Sequence, residues 1–235
     1  MTEPSDTASF RLSYVPGVTP GKWARIWGER RPNDPLELVP AATGEAVELV
    51  RTGAVDAGVV RLPIDRTGLH AIPLYTETTV AVVGKDHLLT AVAEAAVEDL
   101  ADEIVLRPQD DTLDWPDDRP GRPAEFEPAT TAEAVPLVAA GVGLLIVPQS
   151  LARLHHRRDL TYRPLTDAPR SGVVLTWPDA ENTDLMEEFI GIVRGRTINS
   201  TRTPRRDAAP APGSPAPAKK GTARRRPARR GTRRR

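Results

Sequence analysis

Cysteine is absent from the 235 residues. That excludes disulfides, thiolate nucleophiles and cysteine-ligated zinc together. Histidine is scarce, at four residues, which leaves few general bases for catalysis near neutral pH. No apolar run approaches the roughly 20 residues that a membrane-spanning helix needs. Residues 1–9 are polar and acidic and lack the apolar stretch of a signal peptide. These absences give the expectation of a soluble, cytoplasmic protein with no membrane partner.

What is present divides into two unlike parts. Hydrophobic residues make up 39%, enough for a packed core, while 24 prolines imply that part of the chain stays unpacked. Formal net charge is zero, yet residues 201–235 hold 13 Lys and Arg against one acid, Asp207, a net of +12. The other 200 residues hold 19 bases and 31 acids, a net of −12. An acidic globule therefore carries a basic tail. From 202 to 235 the chain is mostly Pro, Ala, Gly, Lys and Arg, without apolar periodicity. Such a segment buries too little apolar area to offset its ordering entropy, so it is expected to be disordered.

Ahead of the tail, strand-like and helix-like segments alternate. Residues 10–15 read as a strand, followed by a Pro16–Gly17 turn. Thr19 is the expected N-cap of a first helix with Pro20 at its first position. A strand at 36–42, a helix capped by Thr43 and stopped at Gly53, and an apolar strand at 55–61 follow. This strand–helix alternation argues for an α/β fold with parallel sheet. Further strands are read at 69–74, 78–83, 103–106, 144–147 and 173–177, with a short helix near 97–100. Thr130 and Glu133 have capping-box spacing, and the helix after them should end at Gly141, with Pro136 awkward inside it. A last helix starts near Thr183 and stops before Gly195.

Motifs that would carry chemistry fail on inspection. Gly17-Val-Thr-Pro-Gly21-Lys22 has three residues between its glycines where a phosphate-binding loop has four, and Trp23 follows where Ser or Thr is required. Gly141-Val-Gly143 follows a helix rather than opening one, so it reads as a helix stop and turn. There is no Gly-x-Ser-x-Gly elbow. His155 and His156 are adjacent, which does not put them on one helix face; a solvated basic patch with Arg157 and Arg158 fits better. The aspartates at 110, 111, 114, 117 and 118 lack the calcium-loop pattern and read as a solvated acidic loop. Trp23 and Trp27 sit at helical spacing and read as core. No catalytic set, metal or cofactor is expected, and the protein is read as a non-enzyme.

Five segments, in order, resemble the effector-binding domain of LysR-type transcriptional regulators. These are Phe10-Arg-Leu-Ser-Tyr-Val-Pro-Gly-Val-Thr-Pro20; Arg31-Pro-Asn-Asp-Pro-Leu-Glu-Leu-Val39; Leu49-Val-Arg-Thr-Gly-Ala-Val-Asp-Ala-Gly-Val-Val60; Leu74-Tyr-Thr-Glu77 with Val80-Ala-Val-Val-Gly-Lys-Asp-His87; and Leu137-Val-Ala-Ala-Gly-Val-Gly-Leu-Leu-Ile-Val-Pro148. The resemblance implies two Rossmann-like lobes joined by two crossing strands, as in type 2 periplasmic binding proteins. The domain would span 9–197, with lobe I at about 9–83 and 164–197 and lobe II at about 84–163. The family's N-terminal winged helix-turn-helix and linker helix have no counterpart in these residues. Leu88 and Leu89 stand where the family has Pro-Leu.

Under that resemblance, a small effector binds between the lobes, beyond the carboxyl ends of the strands. Helix N-termini at Thr19, Thr43 and Thr130/Thr131 would offer free amides to an anionic ligand such as a small carboxylate. Arg61 would add a bidentate contact, and Val18, Leu62 and Pro63 apolar walls. The alternative is that the threonines are ordinary caps and Arg61 a surface charge. The expected role is a small-molecule-sensing regulatory domain; a solute-binding protein of the same fold is the alternative. In the tail, Lys219, Lys220, Arg224, Arg225, Arg226, Arg229, Arg230, Arg233, Arg234 and Arg235 could neutralise phosphates of DNA or RNA without reading sequence. The alternative there is a solubilising tail, or one folding back on the acidic globule. A second copy of the chain is a further expected partner.

Overall fold

The computed structural model describes residues 9–116 and 118–196. Two mixed sheets form, each with its own helices. The first takes β1 (Phe10–Tyr14), α1 (Gly21–Arg30), β2 (Leu36–Pro40), α2 (Thr43–Arg51), β3 (Ala57–Arg61) and β4 (Leu69–Glu77). The chain then crosses to β5 (Thr79–Gly84), β6 (Ala95–Ala96), β7 (Ile104–Leu106), β8 (Arg122–Pro123), α3 (Thr131–Ala139), β9 (Leu144–Pro148), α4 (Gln149–Leu154) and β10 (Leu160–Thr166). It returns through β11 (Ser171–Pro178) and ends in α5 (Asp184–Val193).

Strand order is β2-β1-β3-β11-β4 in the first sheet and β6-β10-β5-β9-β7-β8 in the second. β1 runs parallel to both β2 and β3, while β11 is antiparallel to β3 and β4. In the second sheet β5 is antiparallel to β9 and β10, and β7 is parallel to β9. Two Rossmann-like lobes joined by two crossings are the result. The exchange falls at Thr78 and between β10 and β11. Residues 79–83, given to the first lobe from sequence, pair in the second sheet, as does 164–166. An apolar run such as Val80–Val83 does not reveal which sheet it will join.

Packing follows the strand periods. All five residues of β3 are buried, as a central strand covered on both faces requires. Gly58 lets α2 approach: a Cβ there would lie 2.8 Å from Ser13 Oγ and 3.0 Å from Val50 Cγ2. Phe10, Trp27 and Phe189 stack at centroid separations of 5.0–5.8 Å and bind α1 and α5 to β1. Each such fully buried side chain contributes about 1.5–3 kcal/mol. In the second lobe, alternation sorts β5 onto two cores. Val80 and Val82 pack with α3 and α4, and Ala81 and Val83 pack on the other face with Leu89 and Leu100.

Several local expectations change. The N-cap of α1 is Pro20, not Thr19, and that of α2 is Ala42, with Thr43 already inside the helix; neither has a side-chain cap. Thr130 and Thr183 do cap, accepting from the amides of Glu133 and Met186. Pro136 sits within α3 on its exposed side. Its missing amide leaves the Ala132 carbonyl to water, which an exposed turn tolerates. Four elements have no counterpart in the sequence reading: α4, β10 and the two-residue strands β6 and β8. α4 has only six residues, and Arg163 and Pro164 interrupt the apolar pattern of β10.

Candidate functional site

Between the lobes lies a cleft of about 550 Å³. Its first wall is built where β1, β2 and β3 end. It consists of Pro16 after β1, Ala42, Thr43 and Gly44 at the start of α2, Val47, Glu48 and Arg51 further along that helix, Arg61 at the end of β3, and Pro63, Ile64 and Asp65 after it. β1 lies between β2 and β3, so the chain order reverses beside it, and ligand crevices form at such switch points. The second wall is the segment Gln109–Thr112 beyond β7, with Leu151 of α4.

Arg61 does not present an open guanidinium to this cleft. It is 2% exposed. Its Nε donates to Glu77 Oε2 at 2.9 Å, Nη1 to the Pro16 carbonyl at 2.6 Å and Nη2 to Ser150 Oγ at 2.7 Å. Ser150 belongs to the second lobe, so the guanidinium ties the lobes at the back of the cleft. Gly17 makes room for this contact. It has φ +82°, and a Cβ there would meet Ser150 Oγ at 2.7 Å and Arg61 Nη2 at 2.9 Å.

The N-terminus of α3 is likewise occupied by the protein itself. Asp110 Oδ1 accepts from the Thr131 amide at 2.7 Å and from its hydroxyl at 2.9 Å. The neighbouring Asp111 accepts from the Leu113 amide at 2.9 Å and pairs with Arg119 at 3.1 Å. Burial raises the Asp111 carboxyl above its ordinary value despite those two partners. The acidic segment read as solvated is therefore partly built into the fold. Opposite it, Arg51 bridges Glu48 at 3.0 Å and Asp65 at 3.1 Å. The amide and hydroxyl of Thr67 hold the exposed Asp65 carboxyl below its ordinary value, with Arg51 adding to the effect.

Of the residues expected at the site, Thr43, Arg61 and Pro63 line the cleft. Val18 is 4% exposed within the first core, and Leu62 packs on that core against Gly172. Thr19 is exposed away from the cleft walls. Thr130 and Thr131 form the α3 cap rather than the wall. Trp27 is core, as its spacing indicates. Lys219 through Arg235, and the whole 202–235 tail, lie outside the described residues. Among the described residues no group of three or more His, Asp or Glu is placed to hold a metal ion. No described helix is long and apolar enough to cross a membrane. Sequence reasoning missed Glu48, Arg51, Asp65 and Asp110 at the cleft. Only Asp110 is singled out from the sequence, as one of the aspartates of the acidic loop.

Two α/β lobes exchanging strands twice, with a cleft at the ends of the parallel strands, define a two-lobed ligand-binding domain of the type 2 periplasmic-binding-protein kind. The chain belongs to the LysR substrate binding domain family, whose model matches residues 12–197. It is similar to the "Probable hydrogen peroxide-inducible genes activator" of Mycobacterium avium, at 30% identity over 177 residues. That match covers 70% of this chain and 57% of the relative. It is also similar to the HTH-type transcriptional regulator AlsR of Bacillus subtilis (strain 168), at 27% over 196 residues, covering 78% and 63%. The chain therefore spans less than two thirds of the length of either relative. The solved structure of the BenM effector binding domain with its effector benzoate matches with TM-score 0.66 and 22% identity, covering 80% of this chain and 90% of that one.

Proposed function

We propose that this chain is the sensory part of a transcriptional regulator and that its inter-lobe cleft binds a small organic ligand through a carboxylate. The carrying observation is the N-terminus of α2. It has no side-chain cap and opens on the cleft through Ala42, Thr43 and Gly44. Free first-turn amides and the positive end of the helix dipole suit an anionic group. Val47, Ile64, Pro63 and Leu151 supply apolar surface for the rest of the ligand. The relatives are named as regulators, which supports regulation over solute transport and over catalysis. Benzoate, the effector named for BenM, is itself a small carboxylate. A ligand touching both walls favours one lobe angle, and that change is the signal passed to the rest of the regulator or to a second copy of the chain.

A thermal-shift screen of small organic acids tests this, because a ligand that binds only the folded state raises Tm. Hits should lose their shift in Thr43→Asp. That substitution places a carboxylate at the ligand's position while remaining favourable in a first helical turn. Hits that persist undiminished in that variant would place the ligand elsewhere.

The tail supports a second reading, carried by its net charge of +12. Lys219 through Arg235 bind nucleic acid electrostatically and without sequence preference. A gel-shift titration over salt should show binding that weakens steeply with salt and disappears on deleting 202–235. Retention unchanged by the deletion removes the tail from the account.

A further inference from the structure

The cleft carries charge of both signs, in separate places. On the first wall, the uncapped start of α2 is the positive end. On the second wall, the matching helix terminus is closed by Asp110, which uses only Oδ1 to hold Thr131. Among the described residues nothing bonds Asp110 Oδ2, and the side chain is exposed on the cleft.

The remaining charges are largely matched. Arg61 is held by Glu77, Asp111 by Arg119, and Arg51 serves both Glu48 and Asp65. Counting the lining residues with Glu77 and Arg119 gives five carboxylates and three arginines. Negative charge is thus left over, and Asp110 is the carboxylate with no cation paired to it among the described residues. A simple anion in this cleft would meet the α2 amides on one wall and an uncompensated carboxylate on the other. A simple amine would satisfy Asp110 and leave the α2 amides unmet.

We infer that the ligand is an amino carboxylate, with its carboxylate on the α2 amides of the first lobe and its protonated amine on Asp110 Oδ2 of the second. This rests on the carboxylate reading above and narrows it to one chemical class. Because the two anchors belong to different lobes, only a ligand bearing both groups draws the walls together. The amine–carboxylate contact is a charge-assisted hydrogen bond in a partly enclosed site.

Matched sets of probes separate the two readings. Phenylalanine is compared with phenylpropanoate and phenethylamine, leucine with isocaproate and isopentylamine, and γ-aminobutyrate with butyrate and propylamine, by thermal shift and calorimetry on the full chain. At least one amino carboxylate should bind about tenfold or more tightly than both of its partners. Asp110→Asn keeps an acceptor for Thr131 while removing the charge. It should abolish that preference and let the plain carboxylate bind at least as well. Plain carboxylates binding the wild-type chain as tightly as their amino counterparts would overturn the inference and leave the carboxylate reading standing. Amines binding as tightly would overturn it as well. No shift from any probe would remove both.

Discussion

Arg61 Nη2 donates to Ser150 Oγ at 2.7 Å across the two lobes, although 89 positions separate the residues in the chain. The same guanidinium is paired with Glu77 at 2.9 Å, both side chains being almost wholly buried. It therefore serves as a connection at the hinge side of the cleft. Removing one partner of a buried pair strands the other charge, which typically costs about 3–5 kcal/mol. Arg61→Met should lower unfolding free energy by roughly that amount in urea titrations. Arg61→Met combined with Glu77→Leu should recover most of it. Ser150→Ala should cost only about 1 kcal/mol. No recovery in the double variant would show that the stabilisation is not the ion pair's.

Gly17 should be coupled to Ser150. Its φ of +82° disfavours any L side chain, by about 1–2 kcal/mol. The added methyl of Gly17→Ala would also press on Ser150 Oγ. In a Ser150→Ala background the steric part should diminish and the backbone part remain. Strictly additive unfolding free energies would count against the crowding seen between the lobes.

Threonines alike in sequence should differ in stability. Thr130→Ala and Thr183→Ala each remove an N-cap acceptor and should cost about 1 kcal/mol. Thr19→Ala and Thr43→Ala remove no cap and should stay within about 0.5 kcal/mol. Chemical denaturation of the four variants side by side decides it.

Asp111 gives a pH signature. Burial raises its carboxyl pKa above the unfolded value, so its contribution to stability is full at acid pH and is lost as pH rises through the raised value. At neutral pH the ionised group therefore opposes folding. Asp111→Asn keeps an acceptor for the Leu113 amide and should melt higher than wild type at neutral pH. The gap should close as pH falls through the carboxyl range. Wild type melting higher than Asp111→Asn at neutral pH would mean that the Arg119 pairing outweighs burial.

The alternation of strands and helices was legible because it is local. Phe10 to Tyr14 alternates apolar with polar residues, Ala57 to Val60 and Leu144 to Val147 are short apolar runs, and all three are strands. The family resemblance rested on the same segments and supplied the two-lobed plan. α4 and β10 escaped because one is short and the other is interrupted by Arg163 and Pro164, so neither has a period to read.

What the sequence by itself determined is therefore the class of fold, the core strands, the Thr130 cap and the uneven distribution of charge. Only the tertiary structure decided which charges are available at the cleft. Arg61 meets Glu77 at a separation of 16 positions and Ser150 at 89, and Asp110 meets Thr131 at 21. Side-chain type announces that a group can bind an ion. Whether a neighbour from elsewhere in the chain has already taken that capacity depends on long-range contacts, and no local pattern records them.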